Sequence, residues 1–216
     1  MPEWIAATLV HNTPELAARM REQLPGVLVI DNGSRPPIDG AAISLPVNRG
    51  FVGGWNEAMR RIIAEHPDVD YVWMLNSDVE GVTHDMGDSL MMDCDFDEFA
   101  VSTPVFNSPH SVFSVRPTNE RAQTLRSVSW VDWCCPMVPV YVWESVGEFD
   151  TRSTGYFADV DWCKRARDAG YRFCVSEPHE VHHIGGATAR AIGHTWDADD
   201  RWLCEKWGVK SWTELT

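Results

Sequence analysis

The sequence predicts an α/β protein whose sheet carries helices on both faces. Through residues 1–80, short apolar runs alternate with amphipathic segments, an order typical of a mostly parallel sheet with helical crossovers. Beyond residue 99 the apolar runs follow one another more closely, so we expect a mixed sheet overall. With no internal repeat or low-complexity linker, we predict one domain with halves over 1–80 and 99–190 and a helical tail over 191–216.

The first half opens with a buried strand at Trp4–Val10, followed by a capping residue and a proline in Asn12–Glu15 that predict the start of a helix. One face of this helix is apolar, through Leu16, Ala17, Met20 and Leu24. The remaining elements predicted here are strands at Val27–Ile30, Ile43–Leu45 and Tyr71–Leu75, a loop at Asn48–Gly54 and a helix at Trp55–Glu65.

The second half predicts strands at Phe99–Val105, Ser111–Val115, Ser127–Trp133 and Tyr171–Val175, and a helix at Asp159–Ala169 that Gly170 ends. The acidic stretch Asp85–Glu98 between the halves is predicted to be an exposed excursion. A terminal helix is predicted from about Asp199. The tail carries Trp196, Trp202, Trp207 and Trp212, whose spacing favours packing onto the protein's own domain over contact with an acceptor or a membrane.

Composition excludes several classes of function. The formal net charge of −14 argues against a general nucleic-acid binder and against an anionic membrane surface. No apolar run reaches the roughly 18–20 residues that cross a bilayer, and the N-terminus lacks the pattern of a signal peptide, so a cytoplasmic location is expected. None of the six cysteines forms a CxxC pair, which favours buried free thiols over a zinc site or a disulfide framework.

Two acidic side chains follow predicted strands, and ligands bind such sheets at the carboxyl ends of their strands. Asp31 opens a turn after the second strand, and Asp78 follows Tyr71–Leu75. Asp78 together with Glu80 suits a divalent ion carrying a diphosphate, because Mg²⁺ and Mn²⁺ need few protein carboxylates beside substrate phosphates. Ordinary surface acids in a solvated turn explain these residues equally well.

Two further segments suggest chemistry in the second half. Asp159 begins a helix, where a carboxylate serves either as a cap or as a general base in a cleft. Asp161 lies four residues before Arg165, a spacing that favours an ion pair on the helix surface. His182 and His183 precede a Gly-Gly pair; a histidine there is either a metal ligand or an ordinary core or surface side chain.

Taken together, motifs within Thr8–Thr188 resemble those of the large inverting glycosyltransferase family 2, and within it the rhamnosyltransferase-like branch. The best match joins Val146–Asp150 to Asp159–Arg165 and resembles the family's GGFDE and EDVDLCLR signature, followed by AGYR at Ala169–Arg172. The other matches are a nucleotide-binding run at Asp31–Ser34, an Asn-x-Gly-Phe loop at Asn48–Asn56, a variant DxD motif at Asn76–Asp78 and an HxGGxT run at His183–Thr188.

The resemblance implies a GT-A fold, a Rossmann-like mixed sheet with helices on both faces. It implies metal-dependent, inverting transfer of a sugar from a nucleoside-diphosphate sugar to an acceptor hydroxyl, with Mn²⁺ or Mg²⁺ as cofactor. The first half would bind the nucleotide, and the second half the acceptor. The donor-binding residues would be Asp31, Asn32, Asn48, Gly50, Asn56 and Asn76.

The same resemblance implies which residues hold the metal ion and which residue acts as the general base. Asp78 would hold the metal, with His183 completing the site and His182 in reserve. Asp159 would be the general base, with Asp161 in reserve.

Two departures from the family pattern keep alternatives open. Asn76 replaces the first acid of the DxD motif, which leaves metal binding to Asp78, and Ala158 replaces the glutamate before Asp159. A non-catalytic module that binds a sugar nucleotide or glycan is therefore one alternative. A sugar nucleotidyltransferase is another, although no Gly-rich loop with Arg and Lys for a triphosphate is present near the N-terminus. The acceptor stays open among glycans, lipid-linked sugars, proteins and small molecules, with a modified nucleobase disfavoured by the acidic charge.

Overall fold

The computed structural model of the chain describes residues 2–96, 99–106, 125–185 and 196–216, which contain a nine-stranded mixed sheet and six α-helices. In the first half these are β1 (Trp4–Val10), α1 (Pro14–Gln23), β2 (Leu28–Asp31), β3 (Ile43–Ser44), α2 (Gly50–Glu65), β4 (Tyr71–Asn76) and β5 (Val79–Glu80). They continue with α3 (His84–Phe96), β6 (Val101–Phe106), β7 (Leu125–Val128), β8 (Met137–Pro139), α4 (Val140–Val146), α5 (Ala158–Asp168), β9 (Phe173–His183) and α6 (Asp197–Trp207), before a 3₁₀ turn at Trp212–Leu215.

The sheet joins a parallel block to a mixed block. Its strand order is β3-β2-β1-β4-β8-β6-β9-β5, with β7 also paired to β9. Strands β1 to β4 are parallel, β8 is antiparallel to both β4 and β6, and β6 is parallel to β9. The α/β class and the mixed sheet predicted from the sequence are therefore confirmed.

Helices cover both faces, as alternation along β4 requires. Val72 and Met74 join the core under α2, α4 and α5, whereas Trp73 and Leu75 join the core under α1 and α3. All four side chains are fully buried, which explains why this strand is apolar throughout.

Several boundaries differ from the sequence-based prediction. Helix α2 begins at Gly50, so most of the predicted loop Asn48–Gly54 is its first turn. Strand β9 runs well beyond the predicted Tyr171–Val175, and the predicted strand Ser127–Trp133 is regular only in β7. The predicted strand Ser111–Val115 lies outside the described residues.

The acidic stretch predicted as an exposed excursion is helix α3 over its described residues. Met86, Leu90 and Cys94 recur every four residues, and all three are buried between the helix and the sheet. The helix packs mainly on β6 and β8. The prediction was wrong because it gave weight to the number of acids and overlooked the apolar stripe among them.

The tail packs onto α5, as its tryptophans predicted. Leu203 of α6 and Leu215 form a small core with Val160, and Trp202, Trp207 and Trp212 are packed against it. Trp196 is the exception in the tail, with 55% of its surface exposed.

The cysteines are free thiols that lie mostly inside the protein, as the composition predicts. Five of the six cysteines are buried, Cys204 is partly buried, and all six are free thiols. In the described part of the chain, no helix combines the length and apolar character that a bilayer span requires.

Gly54 tests the close packing of α2 on the sheet. A Cβ at this position would lie 2.7 Å from Leu9 Cδ2 and 2.9 Å from Asn32 Nδ2. We expect Gly54→Ala to lower the free energy of unfolding by about 1–3 kcal/mol in chemical denaturation, because the contact is overpacked. Gly53→Ala is the control in the same turn; its Cβ would meet only the Arg49 Cβ within 4 Å, so equal losses for both variants would contradict the explanation.

Candidate active site

The carboxyl ends of the parallel strands form one edge of the sheet. Val10 of β1 pairs with Asp31 at the end of β2, and Leu9 pairs with Asn76 at the end of β4. Asp78 follows in the turn between β4 and β5. Asp31 and Asp78 therefore lie on one rim of the sheet, as the sequence predicted.

Asp78 and His183 form a largely buried pair at this rim. The antiparallel register of β5 on β9 puts Val79 opposite His183, and the Ile184 amide donates to the Asp78 carbonyl at 3.1 Å. His183 Nε2 then lies 3.2 Å from Asp78 Oδ1. Two residues distant in sequence are thus brought together by the pairing of a two-residue strand.

The electrostatics of this pair favour opposite charges. Burial would raise the pKa of Asp78, but the hydrogen bond and charge of His183 lower it below its ordinary value. Burial would likewise lower the pKa of His183, but the hydrogen bond and charge of Asp78, together with the charge of Asp132, raise it. In the absence of a metal these two side chains therefore form an ion pair, and a divalent cation bound at His183 Nε2 would take the place of its proton.

His182, the reserve metal residue, is directed away from Asp78. Successive side chains of a strand point to opposite faces, so His182 lies on the face opposite to His183. Its side chain is 56% exposed, with Nδ1 3.5 Å from Glu80 Oε2. The geometry supports His183 and gives no support to His182.

Two residues that sequence reasoning missed lie between the pair and helix α5. Cys134 Sγ is 3.3 Å from His183 Nδ1 and donates to Asp132 Oδ1 at 2.7 Å. The Cys134 carbonyl accepts from the Asn76 amide at 2.8 Å, which ties this segment to the end of β4. Burial raises the pKa of Asp132, and the charge of nearby Asp78 adds to it.

Asp159 lies in the first turn of α5, on the other side of Asp132. Its carboxylate accepts from the Val160 amide at 2.8 Å and lies near the Trp133 amide. Burial, and then the charge of Asp132, raise the pKa of Asp159 to about 7. Ala158, where the family resemblance expects a glutamate, is buried, so the second carboxylate beside Asp159 comes from Asp132.

Asp161, the reserve base, lies in a buried ionic network. Its side chain is fully buried; Oδ2 accepts from Arg165 Nε at 3.1 Å, and Oδ1 accepts from Lys206 Nζ at 2.6 Å and from Trp207 Nε1 at 3.0 Å. The predicted pair with Arg165 exists within α5, but the carboxylate is buried, and its bonds to Lys206 and Trp207 join α5 to the tail. With both oxygens engaged inside the protein, the geometry supports a structural role.

Asp31 and Asn32 organise the loops at the rim. Both are buried; Asp31 accepts from the Ser34 amide at 2.8 Å and from the Ile38 amide at 3.0 Å. Burial would raise the pKa of Asp31, but these hydrogen bonds lower it. Asn32 accepts from the Arg49 amide at 2.9 Å and donates to the Gly50 carbonyl at 2.9 Å, so it fixes the start of α2.

The other residues predicted to bind the donor differ in accessibility. Asn48 and Gly50 are exposed, and Asn76 is partly buried. Asn56 is fully buried and exchanges both of its side-chain hydrogen bonds with the backbone of Phe149, at 2.9 and 3.0 Å. In this structure Asn56 joins α2 to the segment before α5.

An open cleft of about 440 Å³ lies at the start of α2. Arg49 and the glycines of the first helical turn form one wall, and Thr151, Ser153 and Thr154 form the other. The Arg49 side chain gives the cleft a positive charge, which suits an anionic ligand.

The loop before Asp159 is held by the tail. Asp199 of α6 is buried and accepts from the Thr154 amide and hydroxyl, both at 2.9 Å, and from the Tyr156 amide at 3.0 Å. Phe157, next along the chain, has a left-handed backbone with φ of 59° and stacks on Trp196 with ring centroids 6.0 Å apart. The exposed ring of Trp196 thus lies beside the loop that leads into Asp159.

Asp78 and His183 provide only part of the ligand set that a divalent cation needs. Carboxylate and imidazole atoms 3.2 Å apart are suited to share an ion such as Mn²⁺. Across residues 2–96, 99–106, 125–185 and 196–216, no three or more His, Cys, Asp or Glu side chains are grouped to hold a metal. Substrate phosphates and water would supply the remaining ligands.

Comparisons with known proteins identify the fold. The sequence matches no protein-family model and no curated protein. The structure is similar to that of GalNAc-T7 with UDP, GalNAc and Mn²⁺, with a TM-score of 0.65 and 8% identity over 100% of this chain and 56% of that one. It is also similar to S. aureus TarS 1-349, with a TM-score of 0.53 and 12% identity over 86% of this chain and 61% of that one.

These similarities define the class of the fold. Both neighbours are GT-A glycosyltransferases, and this chain has the GT-A fold, as the motif resemblance implied. The chain spans a little over half of each neighbouring structure.

Asp161→Asn tests the structural reading of the buried network. Removing this carboxylate leaves Arg165 without its counter-charge and Lys206 with Asp150 alone, so we expect the free energy of unfolding to fall by about 3 kcal/mol in urea. Nucleotide binding by the folded variant should persist. Unchanged stability with lost activity would contradict this reading and would return Asp161 to the list of candidate bases.

Proposed function

We propose that this protein is a glycosyltransferase that moves a sugar from a nucleoside-diphosphate sugar to an acceptor hydroxyl, with inversion at the anomeric carbon. The observation that carries the proposal is the Asp78–His183 pair at the carboxyl edge of a GT-A sheet, with Asp159 beyond Asp132. A cation-binding pair for the leaving group and a carboxylate of raised pKa are the two groups that such a transfer needs.

Asp78 Oδ1 and His183 Nε2 would hold Mn²⁺ or Mg²⁺. Bound there, the ion would neutralise charge that develops on the leaving nucleoside diphosphate. The two side chains offer one carboxylate oxygen and one imidazole nitrogen, a set that Mn²⁺ accepts more readily than Mg²⁺. GalNAc-T7, which has the same fold, was crystallised with UDP and Mn²⁺, and this supports the choice of probe.

Asp159 would act as the general base. An aspartate of ordinary pKa is a weak base at neutral pH, whereas the pKa of about 7 lets Asp159 accept a proton from an acceptor hydroxyl as the new bond forms. The hydrogen bond from the Val160 amide fixes one carboxylate oxygen of Asp159 in the first turn of α5.

The donor nucleotide would lie along the rim between Asp31 and the start of α2. Asn48 and Gly50 are accessible there, and Arg49 lines the adjoining cleft. We retain Asn76 as a donor-site residue because it ends β4 at this rim and is partly exposed. Asp31 is buried, and each of its carboxylate oxygens accepts from a backbone amide, so it would act by holding the loop after β2. Asn32 and Asn56 would act by holding the loop and helix that shape the site, since their amides are bonded within the protein.

The acceptor would approach past Tyr156 and Trp196. Both aromatic side chains are exposed, and both belong to the segments that support Asp159. An exposed aromatic face suits the apolar face of a sugar ring, and the acidic surface disfavours a polyanionic acceptor. We propose a sugar-bearing acceptor on this ground. The alternative function is a module that binds a sugar nucleotide without activity, which the buried Ala158 favours.

Ligand-induced thermal stabilisation tests the donor site. We expect one nucleoside diphosphate, UDP being the first candidate, to raise Tm in the presence of Mn²⁺, by about 5 °C or more at a hundredfold excess over Kd. Asp78→Asn should abolish the Mn²⁺-dependent part of the shift. Glu80→Gln, two residues away at an exposed ion pair, is the control and should keep it; loss in both variants, or no shift in the wild type with any diphosphate, would contradict the proposal.

Asp159→Asn tests the base. The variant should bind the nucleoside diphosphate with normal affinity. It should form diphosphate from a nucleotide sugar at least about a hundredfold more slowly than the wild type. The wild-type rate should rise with pH through about 7. A wild-type rate that is independent of pH between 5.5 and 8.5, or an active Asp159→Asn, would exclude Asp159 as the base.

The same substitution should change how the stability of the protein depends on pH. Because the pKa of Asp159 is raised in the folded state, the folded protein binds this proton more tightly than the unfolded chain, and the resulting stability is lost as pH rises through about 7. Asparagine removes this loss. The Tm of Asp159→Asn relative to wild type, measured without metal, should therefore increase by at least about 2 °C between pH 5.5 and 8.5; a constant difference would contradict the raised pKa.

A further inference from the structure

One side chain of α6 holds the loop that leads into Asp159. Asp199 Oδ1 accepts from the Thr154 amide at 2.9 Å. Its Oδ2 accepts from the Tyr156 amide at 3.0 Å and from the Thr154 hydroxyl at 2.9 Å. Asp199 is buried, and hydrogen bonds to a charged acceptor are stronger than those between neutral groups. The tail therefore fixes the backbone of this loop at two points.

The loop has a backbone conformation that needs support from outside. Phe157 has a left-handed backbone with φ of 59°. A bulky residue rarely adopts this conformation, which persists where surrounding contacts impose it. The tail supplies such contacts. Asp199 holds the Tyr156 amide, next along the chain. The Phe157 ring lies against Trp196 and Trp212, with ring centroids 6.0 and 5.6 Å away.

The conformation of Phe157 determines where helix α5 begins. The Phe157 carbonyl accepts from the Asp161 amide at 3.0 Å, which is the first hydrogen bond of this helix. Asp159 lies two residues after Phe157, in the same turn, so a shift of the loop moves the Asp159 carboxylate with it. A displacement of about 1 Å between reacting groups can lower a rate about a hundredfold.

We propose that Asp199 is a positioning residue for the transfer reaction, holding the loop so that Asp159 meets the acceptor hydroxyl. This role rests on the proposed function and extends its site to the C-terminal tail. Asp199 acts through the two backbone amides that donate to it and takes no part in the chemistry itself. The metal pair should be independent of it, because the sheet positions Asp78 and His183.

The arrangement requires a carboxylate at position 199. Each oxygen of Asp199 accepts from a backbone amide, and an ionised carboxylate offers only acceptors. Asparagine has the same shape but one acceptor oxygen, so in either orientation its NH₂ group would face a backbone N–H. Asp199→Asn therefore removes at least one of these bonds with little change in volume. Asp200→Asn is the matched control, because it removes the same charge from the same turn of α6, where Asp200 Oδ1 meets the Cys204 thiol.

Hydrogen exchange, measured by mass spectrometry, tests whether Asp199 holds the loop. The amides of residues 153–157 should exchange at least about tenfold faster in Asp199→Asn than in the wild type, because they lose their buried acceptor. Asp200→Asn should match the wild type. Mn²⁺ affinity, measured by electron paramagnetic resonance without nucleotide, should stay within about threefold of wild type in both variants, because the metal pair lies on the sheet.

Turnover tests whether the held loop matters for the reaction. The assay is release of nucleoside diphosphate from a panel of UDP-, dTDP- and GDP-sugars, at saturating sugar nucleotide and Mn²⁺. In Asp199→Asn kcat should fall at least about tenfold, while the rise of the rate with pH keeps its midpoint, because Asp159 is still the base. Thr154→Val removes only the hydroxyl bond and should lower kcat about two- to fivefold; it decides the question if Asp199→Asn does not fold.

The outcomes separate this role from the proposed function. Wild-type exchange of the loop in Asp199→Asn overturns the positioning role. So does faster exchange with wild-type kcat in a variant that circular dichroism shows to be folded, because Asp199 would then serve stability alone. A pH midpoint shifted by about one unit or more also overturns it, because the charge of Asp199 would then act on the base directly. Wild-type protein that releases no diphosphate from any sugar nucleotide of the panel overturns the proposed function, and the catalytic role of Asp199 with it, whatever the loop exchange shows.

Discussion

The antiparallel pairing of β5 with β9 is the constraint on which the site depends. It is only two residues long, yet its register sets Val79 opposite His183 and so brings the imidazole to Asp78. The sheet fixes the position of Asp78, because this residue follows β4 and β4 is buried on both faces. Shifting this register by one residue would direct His182 toward Asp78 and turn His183 outward.

A second constraint is the segment around Asp132, which lies between the two chemical ends of the site. Its backbone is hydrogen bonded to the end of β4, its thiol contacts His183, and its carboxylate neighbours Asp159. The charge of Asp132 therefore raises the pKa of both Asp159 and His183. Ala158 stands where the motif resemblance expects a glutamate, and Asp132 is the second carboxylate near Asp159.

The sequence predicted the parts of this arrangement that periodicity and turn chemistry encode. The apolar run of β4 followed by Asp78, and the turn after Asp31, identified the rim because strand ends are marked locally. The apolar stripe of α3 was present in the sequence too, but its acids concealed it. Asp132, Cys134 and Asp199 could not be found, because their functions arise from contacts with residues more than forty positions away. Asp161 shows the converse error. Its place in the helix motif made it a candidate base, but contacts with Lys206 and Trp207, which the motif does not reveal, bury it inside the protein.

The central claim is that Asp78 and His183 together bind the ion that carries the donor diphosphate. Diffraction from crystals grown with UDP and Mn²⁺, recorded at the manganese absorption edge, tests it most directly. The account predicts one anomalous peak within about 2.0–2.4 Å of Asp78 Oδ1 and His183 Nε2, with the diphosphate oxygens as further ligands. Bound UDP with the manganese peak elsewhere, or with none at all, would contradict it.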